Sequence, residues 1–372
     1  MIGYLGATLP QAALKGDMND RIRISVDAMG GDIGPRVAIH GAALALKERK
    51  NTSFIFHGRK EAIEPLLDQF PELKPVSEVR HSETVIAMDE KPSQALRKGR
   101  GNSSMWAALQ SVKDGEADVA ISGGNTGALM AMATFCLRPM EGISRPAIAA
   151  IWPTLRSDIV VLDVGATVGG DAKQLVDFAV LGSALARSLF DQDLPTVGLL
   201  NVGSEEVKGL DTVKDAGRML SHASGAGFLY HGFVEGDDIG KGTVDVVVTE
   251  GFTGNIVLKT AEGTARQVAG YLRGALTANF MSKVGAFFAR QALTALRRKM
   301  DPRTVNGGVF LGLNGIVIKS HGGTDEIGYK SALGLAYEMA RSHLIDKISE
   351  GLSRFPPIVE SQPELEAEGK SA

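Results

Sequence analysis

Residues 119–130 read VAISGGNTGALM. An apolar run, Val119–Ile121, stops abruptly at the polar, Gly-rich turn Ser122–Gly127, and apolar residues at helical spacing follow to Leu137. That pattern predicts a buried strand, a tight turn and a helix. The same edge recurs four more times: Ile22–Val26 into Asp27–Asp32, Val160–Leu162 into Asp163–Thr167, Val197–Leu200 into Asn201–Glu205, and Val244–Val248 into Thr249–Asn255. In an open parallel sheet all carboxyl ends share one rim, so the five turns are expected to converge there. Glycine lets a backbone approach a ligand closely, and the N–H groups of a turn and of the next helix N-terminus favour negative charge. One such turn only makes a tight connection. Five, with Asp, Asn, Thr and Ser interleaved, point to an anion site.

Outward from these turns, strand and helix alternate nearly throughout. Pro35–Lys47 reads as a helix, Phe54–Phe56 as a strand, Lys60–Gln69 and Lys173–Phe190 as helices, and Phe228–Tyr230 and Ile316–Ile318 as strands. Such alternation predicts an α/β fold, a mostly parallel sheet with helices on both faces. One segment departs from it. From Asn255 to Met300 there is no strand signal, and Val268, Tyr271, Leu272, Ala275, Leu276, then Phe280, Met281, Val284, Phe287 and Phe288 recur at helical spacing, which predicts two helices. With Lys283, Arg290, Arg297, Arg298 and Lys299 alongside, this is either a basic amphipathic surface for a membrane or acidic partner, or a core or dimer-packing face.

The chain has 372 residues, is 44% hydrophobic and carries a net charge of −3. It can bury one large core or two joined ones. It lacks the basic excess of a general nucleic-acid binder. Cys136, the single cysteine, cannot pair within the chain, which fits a reducing cytoplasm; its apolar helical setting predicts an inert buried thiol. No run reaches the ~18 apolar residues of a spanning helix. Residues 1–21 read as a ragged extension without a signal-peptide pattern. One domain is expected over 22–352, and residues 353–372, acidic and Pro-containing towards the end, as a disordered tail.

There is no Gly-x-Gly-x-x-Gly after a strand, no Gly-x4-Gly-Lys, no Gly-x-Ser-x-Gly and no His-Glu-x-x-His. Dinucleotide binding by the usual turn, P-loop hydrolysis, serine esterase and zincin chemistry are therefore disfavoured. With one Cys and seven scattered His, a structural zinc site is not expected. A reaction that needs no protein nucleophile remains, such as attack of bound phosphate on an acyl group. The protein's part is then to position both reactants and stabilise the oxyanion.

The stretches SVDAMGGDIGP (Ser25–Pro35), GNSSM (Gly101–Met105), ISGGNTGALM (Ile121–Met130), LDVGATV (Leu162–Val168), LLNVGSEEVKG (Leu199–Gly209), VVTEGFTGNIVLKTAEG (Val247–Gly263) and IKSHGGTD (Ile318–Asp325) together resemble the acyl-acyl carrier protein:phosphate acyltransferase family of bacterial phospholipid synthesis, in order from about Arg21 to Leu352. The resemblance implies a Rossmann-like three-layer α/β/α homodimer with a protruding helical segment. It implies a reversible reaction, acyl carrier protein conjugate plus inorganic phosphate giving acyl phosphate and free carrier protein, with no metal or organic cofactor. Its product would feed a membrane glycerol-3-phosphate acyltransferase, from a cytoplasmic enzyme that contacts the anionic inner membrane peripherally. Two positions depart from the family pattern: Thr167 stands where Asn is common, and Glu250 where Asp is common.

Within that resemblance Asp27, Gly30 and Gly31 shape the first turn, Asp32 serving either there or as a helix cap before Pro35. Ser122, Gly123, Gly124, Asn125, Thr126 and Gly127 are the expected phosphate site. Lys173, Asn201 and Lys208 are candidates for neutralising phosphate or the thioester oxyanion, although such lysines also occur as solvated surface groups. Thr253, Gly254, Asn255 and His321 complete the rim, His321 as a general base near pH 7 or as a structural hydrogen-bonding group. A phosphotransacetylase acting on acyl-CoA is the rival enzyme reading; a carrier-protein enzyme calls for a basic docking face such as Arg97, Lys98 and Arg100 or Arg297–Lys299. A membrane-surface scaffold built on Asn255–Met300 would leave the five turns unexplained.

Overall fold

The computed structural model describes residues 21–190, 192–222, 227–299 and 301–354. Residues 1–20, most of the tail from 353, and the side chains of Arg297–Lys299 lie outside the described residues.

In chain order the elements are β1 (Ile22–Asp27), α1 (Pro35–Glu48), β2 (Thr52–Gly58), α2 (Lys60–Leu67), β3 (Ser77–His81), α3 (Pro92–Gly99), α4 (Ser104–Lys113), β4 (Val119–Ser122) and α5 (Thr126–Leu137). There follow β5 (Ala147–Pro153), β6 (Asp158–Leu162), α6 (Ala172–Phe190), β7 (Thr196–Leu200), α7 (Asp211–Ser221), β8 (Leu229–Val234), α8 (Gly236–Lys241) and β9 (Val246–Val248). The chain continues through α9 (Gly251–Thr277), α10 (Phe280–Phe288), α11 (Arg290–Lys299), β10 (Gly308–Leu311), β11 (Ile316–Lys319), α12 (Glu326–Arg341) and α13 (Leu344–Arg354). All strands join one sheet, ordered β3-β2-β1-β4-β11-β10-β5-β6-β9-β7-β8. Two apolar layers sandwich it. One gathers Ile24, Val26, Phe54, Phe56 and Ile318 under α1, α2, α6, α7, α12 and α13. The other gathers Ala120, Val161, Val247 and Val317 under α3, α4, α5, α8 and the start of α9.

The single-rim expectation is corrected by the strand directions. β3, β2, β1, β4 and β11 run parallel, as do β6, β9, β7 and β8. Between these groups β11–β10, β10–β5 and β5–β6 are all antiparallel. Three reversals invert the direction, so the turns after β1, β4 and β11 line one edge while those after β6, β7 and β9 line the opposite edge. The strands responsible are the ones that left no sequence signal: β5 is Ala-rich (AIAAIWP) and β10 is four residues long (GVFL). β3 was also silent, because SEVRH is a polar edge strand.

The helical excursion is three helices rather than two. α9 begins at Gly251, inside what the sequence suggested was the turn, because Glu250 caps it by accepting from the N–H groups of Phe252 (2.8 Å) and Thr253 (2.7 Å). Asn279 caps α10 by accepting from Ser282 N–H at 2.9 Å.

Candidate active site

The first edge is built on a row of polar side chains. Cross-strand register sets His57 beside Asp27, Asp27 beside Ser122, and Ser122 beside Lys319. All lie on the face opposite Val26, Phe56, Ile121 and Ile318 because side chains alternate along a strand. The Ser122 hydroxyl donates to Asp27 Oδ2 at 2.6 Å and accepts from Gly124 N–H at 3.0 Å. Burial pushes the Asp27 carboxyl above its ordinary range, opposed by the Ser122 hydrogen bond.

Above this row three glycine turns interlock. A Cβ on Gly30 would lie 2.6 Å from Asp27 Oδ2 and 2.7 Å from Gly124 N, both fixed atoms; Gly31 has φ +99° with the Gly322 carbonyl 3.0 Å from where its Cβ would be. Asp32 N–H donates to the Gly322 carbonyl at 2.9 Å. Asp32 therefore ties the first turn to the third, and the α1 cap is Gly34, without a side-chain hydrogen bond. A cavity of about 10 Å³ lies among Gly30, Gly123, His321, Gly322 and Tyr329. It has room for a water-sized group and not for a larger anion.

Asn125 caps α5 by accepting from Ala128 N–H at 2.9 Å, and its amide donates to the Met88 and Glu90 carbonyls at 2.7 and 3.1 Å. Its polar atoms thus serve the protein. What the turn turns outward is the backbone of Thr126 and Gly127, whose N–H groups belong to a first helical turn and have no intrahelical acceptor.

Two side chains flank that helix end. Lys319 Nζ donates to the Gly123 carbonyl at 3.3 Å and to the Ser320 carbonyl; burial pushes its amine down to about 8, against the opposing pull of Asp27 and Asp32. The exposed His321 ring accepts Gly323 N–H at Nδ1, 3.2 Å, while the His321 backbone N–H donates to Asn306 Oδ1 at 3.0 Å. Partial desolvation and the charge of Lys259 hold its pKa below the usual value. It is then neutral at pH 7, and with Nδ1 accepting, the proton sits on Nε2. His321 thus lines the small cavity with Nε2 as its hydrogen-bond donor.

The opposite edge is organised by Asp163, which sequence reasoning passed over. Its Oδ1 accepts from the N–H groups of Ile148, Gly165 and Ala166, and its Oδ2 from Thr167 N–H and hydroxyl, all within 3.1 Å. Burial raises its pKa against these bonds. Thr167 in turn accepts from Gly251 N–H at 3.2 Å, so the residue that departs from the family pattern braces the start of α9. Gly254 packs on the Asp163 backbone with no room for a Cβ, and Asn255 lies against Gly165. Thr253 is hydrogen-bonded to Glu250.

The lysine candidates on this edge are already partnered. Lys173 pairs with Asp177 at 2.8 Å and donates to the Gly142 carbonyl, while Lys208 pairs with Glu205 at 2.8 Å. Asn201 donates to the Lys208 carbonyl at 3.0 Å, closing its own loop. Thus Asp27, Gly30, Gly31, Ser122–Gly127 and His321 come together, whereas Lys173, Asn201, Lys208 and Thr253–Asn255 occupy the other edge. α9 bridges the two. Lys259, eight residues or ~12 Å of helix from Gly251, lies near enough to act on both His321 and Lys319. Lys319 carries no motif signal of its own, although it sits within the IKSHGGTD stretch.

Among the described residues no cluster of three or more His, Cys, Asp and Glu side chains is set to hold a metal, and no helix is long and apolar enough to cross a membrane.

Fold and site define an α/β protein with an anion-ready helix end at a strand terminus, and the fold is that of a solved phosphotransacetylase from Streptococcus pyogenes (TM-score 0.57, 18% identity, covering 86% of this chain and 94% of that one). The chain belongs to the phosphate acyltransferase family: residues 22–347 match the family described as fatty acid synthesis protein. A phosphate acyltransferase of Chelativorans sp. (strain BNC1) is 62% identical over 334 residues, 90% of this chain and 95% of that protein. One from Mesorhizobium japonicum is 61% identical over 334 residues, 90% and 94% of the respective chains. The protein is an enzyme of lipid synthesis that transfers an acyl group to phosphate.

Proposed function

We propose that the acyl donor is an acyl carrier protein thioester and that inorganic phosphate, held at the Gly123–Gly127 turn, is itself the nucleophile. A phosphate oxygen attacks the carbonyl carbon, the tetrahedral oxyanion collapses, the C–S bond breaks, and the carrier thiol leaves with the proton that phosphate loses. The products are acyl phosphate and free carrier protein, and the reaction is reversible. The observation that carries this reading is the convergence of the α5 N-terminus, Lys319 and His321 at one strand edge in a member of this family. The buried Cys136 thiol, pushed up by burial, supports direct attack rather than an acyl-enzyme.

Exposed Arg97, Lys98 and Arg100 on and after α3 supply a basic face for the acidic carrier. Lys98 pairs with Glu90 at 3.3 Å, and Arg100 lies 4.1 Å over the Phe135 ring. Gly127 abuts Pro92 at the start of α3, so a carrier docked there has its thioester beside the phosphate. The exposed α9–α11 surface suits a second copy and transient contact with an anionic membrane and its glycerol-3-phosphate acyltransferase.

The test incubates purified protein with palmitoyl carrier protein and phosphate, with palmitoyl-CoA in parallel, and traps acyl phosphate with hydroxylamine. Hydroxamate from the carrier-protein arm is expected. Product from the CoA arm alone assigns the donor to CoA, and acylated Cys136 found by mass spectrometry refutes direct attack.

A further inference from the structure

We infer that Lys319 is the side-chain cation that grips the attacking phosphate at the Gly123–Gly127 turn, an assignment that rests on the phosphate-transfer reading above. Four lysines are placed to be considered, and three already have carboxylate partners: Lys173 with Asp177, Lys208 with Glu205, and Lys259 with Glu262 at 3.0 Å. Lys319 differs. Among the described residues its ammonium bonds only to backbone carbonyls, those of Gly123 and Ser320. An ammonium has three N–H donors, so one remains for an anion.

Its position is fixed from several sides. Register places Lys319 next to Ser122, whose hydroxyl is held by Asp27, and the hydrogen bond to Gly123 ties Nζ to the turn that leads into α5. On the other side its register partner on β10 is Gly308, so no side chain crowds it there. The charged and titratable groups around it are Asp27 on β1, Asp32 in the following turn, Lys259 and Glu262 on α9, His321 in its own turn, and Tyr329 on α12, which lies within the influence of Asp27. The two carboxylates favour the ammonium without reaching ion-pair distance. A dianion arriving at the first-turn N–H groups of α5 therefore meets a positioned charge with a spare donor. Charge-assisted contacts of this kind are the strong ones.

The amine, pushed down to about 8, adds a signature that a merely structural lysine lacks. Below that pH Lys319 is charged and binds phosphate; above it the charge is lost, whereas phosphate itself is already a dianion. The phosphate KM of the wild-type protein is expected to rise above about pH 8, while the KM for the acyl donor stays level. Lys319→Arg keeps its charge over that range, so phosphate binding is retained and the alkaline rise disappears. Lys319→Met is expected to raise the phosphate KM roughly tenfold or more, the worth of a hydrogen bond to a charged group, with the donor KM unchanged.

The same series is read without any acyl donor as the thermal stabilisation given by inorganic phosphate, from pH 6.5 to 9.5. That arm separates the two proposals: a failed hydroxamate assay with intact, Lys319-dependent phosphate binding refutes the donor assignment alone. A folded Lys319→Met with unchanged phosphate KM and stabilisation overturns the inference, as does an alkaline rise that survives in Lys319→Arg. If Lys319→Met does not fold, the wild-type and Arg pH series decides: a wild-type profile flat through pH 9 also overturns it.

Discussion

At the scale of single residues, Asn125 shows how a side chain expected to bind an anion can be employed by the fold itself. The sequence motif marks it as a phosphate ligand, but its acceptor caps α5 and its donors hold the 88–90 loop. Asn125→Ala should therefore cost about 3 kcal/mol in urea unfolding, a lost cap of ~1 kcal/mol plus ~1 kcal/mol for each of the two loop bonds; Asn125→Asp, which keeps the cap acceptor, should lose less. A phosphate KM raised tenfold at unchanged stability would instead put the amide on the anion. Thr167 is the complementary case, a residue set apart in the sequence as a departure that proves to be a brace. Thr167→Val removes a hydroxyl donor from the buried Asp163 carboxylate, at an expected cost of roughly 1.5–3 kcal/mol for a bond to a charged group, with the start of α9 loosened. Protection of the amides of residues 251–256 against hydrogen exchange should fall in that variant, and an unchanged pattern would show that Gly254 packing alone seats the helix. The glycines were legible because their role lies in local backbone geometry, whereas the Asp27 bond to Ser122 spans 95 residues. Lys319 and Asp163 were not, since what distinguishes them is the partners they lack or gain across more than a hundred residues or through a turn.

At the scale of elements, the strands with β-branched runs were read within about two residues, as were α1, α2, α5 and α6, while α7 and α12 were not read as helices; β5 and β10 carry no periodic pattern of their own and take strand form by pairing on both sides. Missing those two concealed the inversion of the sheet and led to the expectation of one rim. The α9–α11 segment was legible as two helices parted before Phe280, where Asn279 caps α10, but not as three, because the second break, at Ala289, carries neither Gly nor Pro. Its outer face is unusually apolar: Phe280, Met281, Phe287 and Phe288 are 77, 73, 67 and 81% exposed. With Lys283 and Arg290 alongside, α10 has the apolar and cationic groups that an interfacial contact needs. Replacing Phe287 and Phe288 with Ser should weaken flotation with anionic liposomes while leaving acyl transfer in solution largely intact. Should the double variant lose its oligomeric state with lipid affinity unaltered, these aromatics pack against another copy.

At the scale of the whole molecule, the polar row continues past the glycine turns, from Lys319, Ser122 and Asp27 to His57 and then Arg80 on the edge strand. His57 is 2% exposed; its Nε2 lies 3.0 and 3.2 Å from the Ser25 and Ser111 hydroxyls, and its Nδ1 has no partner among the described residues. Burial, aided by the charge of Arg80, pushes its pKa down to about 4. The ring is thus neutral in the folded protein where it would begin to charge in the unfolded chain, near pH 6.5. Because the unfolded state binds the extra proton, this contribution is complete above pH 6.5 and is lost progressively as the pH falls to about 4, to the extent of roughly 3 kcal/mol. The buried carboxyls of Asp27, Asp163 and Asp177, raised by burial, act with the opposite sign, since the folded state takes up protons there first. Overall acid stability therefore mixes both effects, and a difference against His57→Gln isolates one. Glutamine keeps a hydrogen-bonding amide near Ser25 and Ser111 but does not titrate, so the wild-type advantage in urea unfolding should shrink by roughly 3 kcal/mol between pH 7.5 and pH 4. If that advantage is the same at both ends of the range, His57 protonates normally in the folded protein and the row is open to solvent at this point.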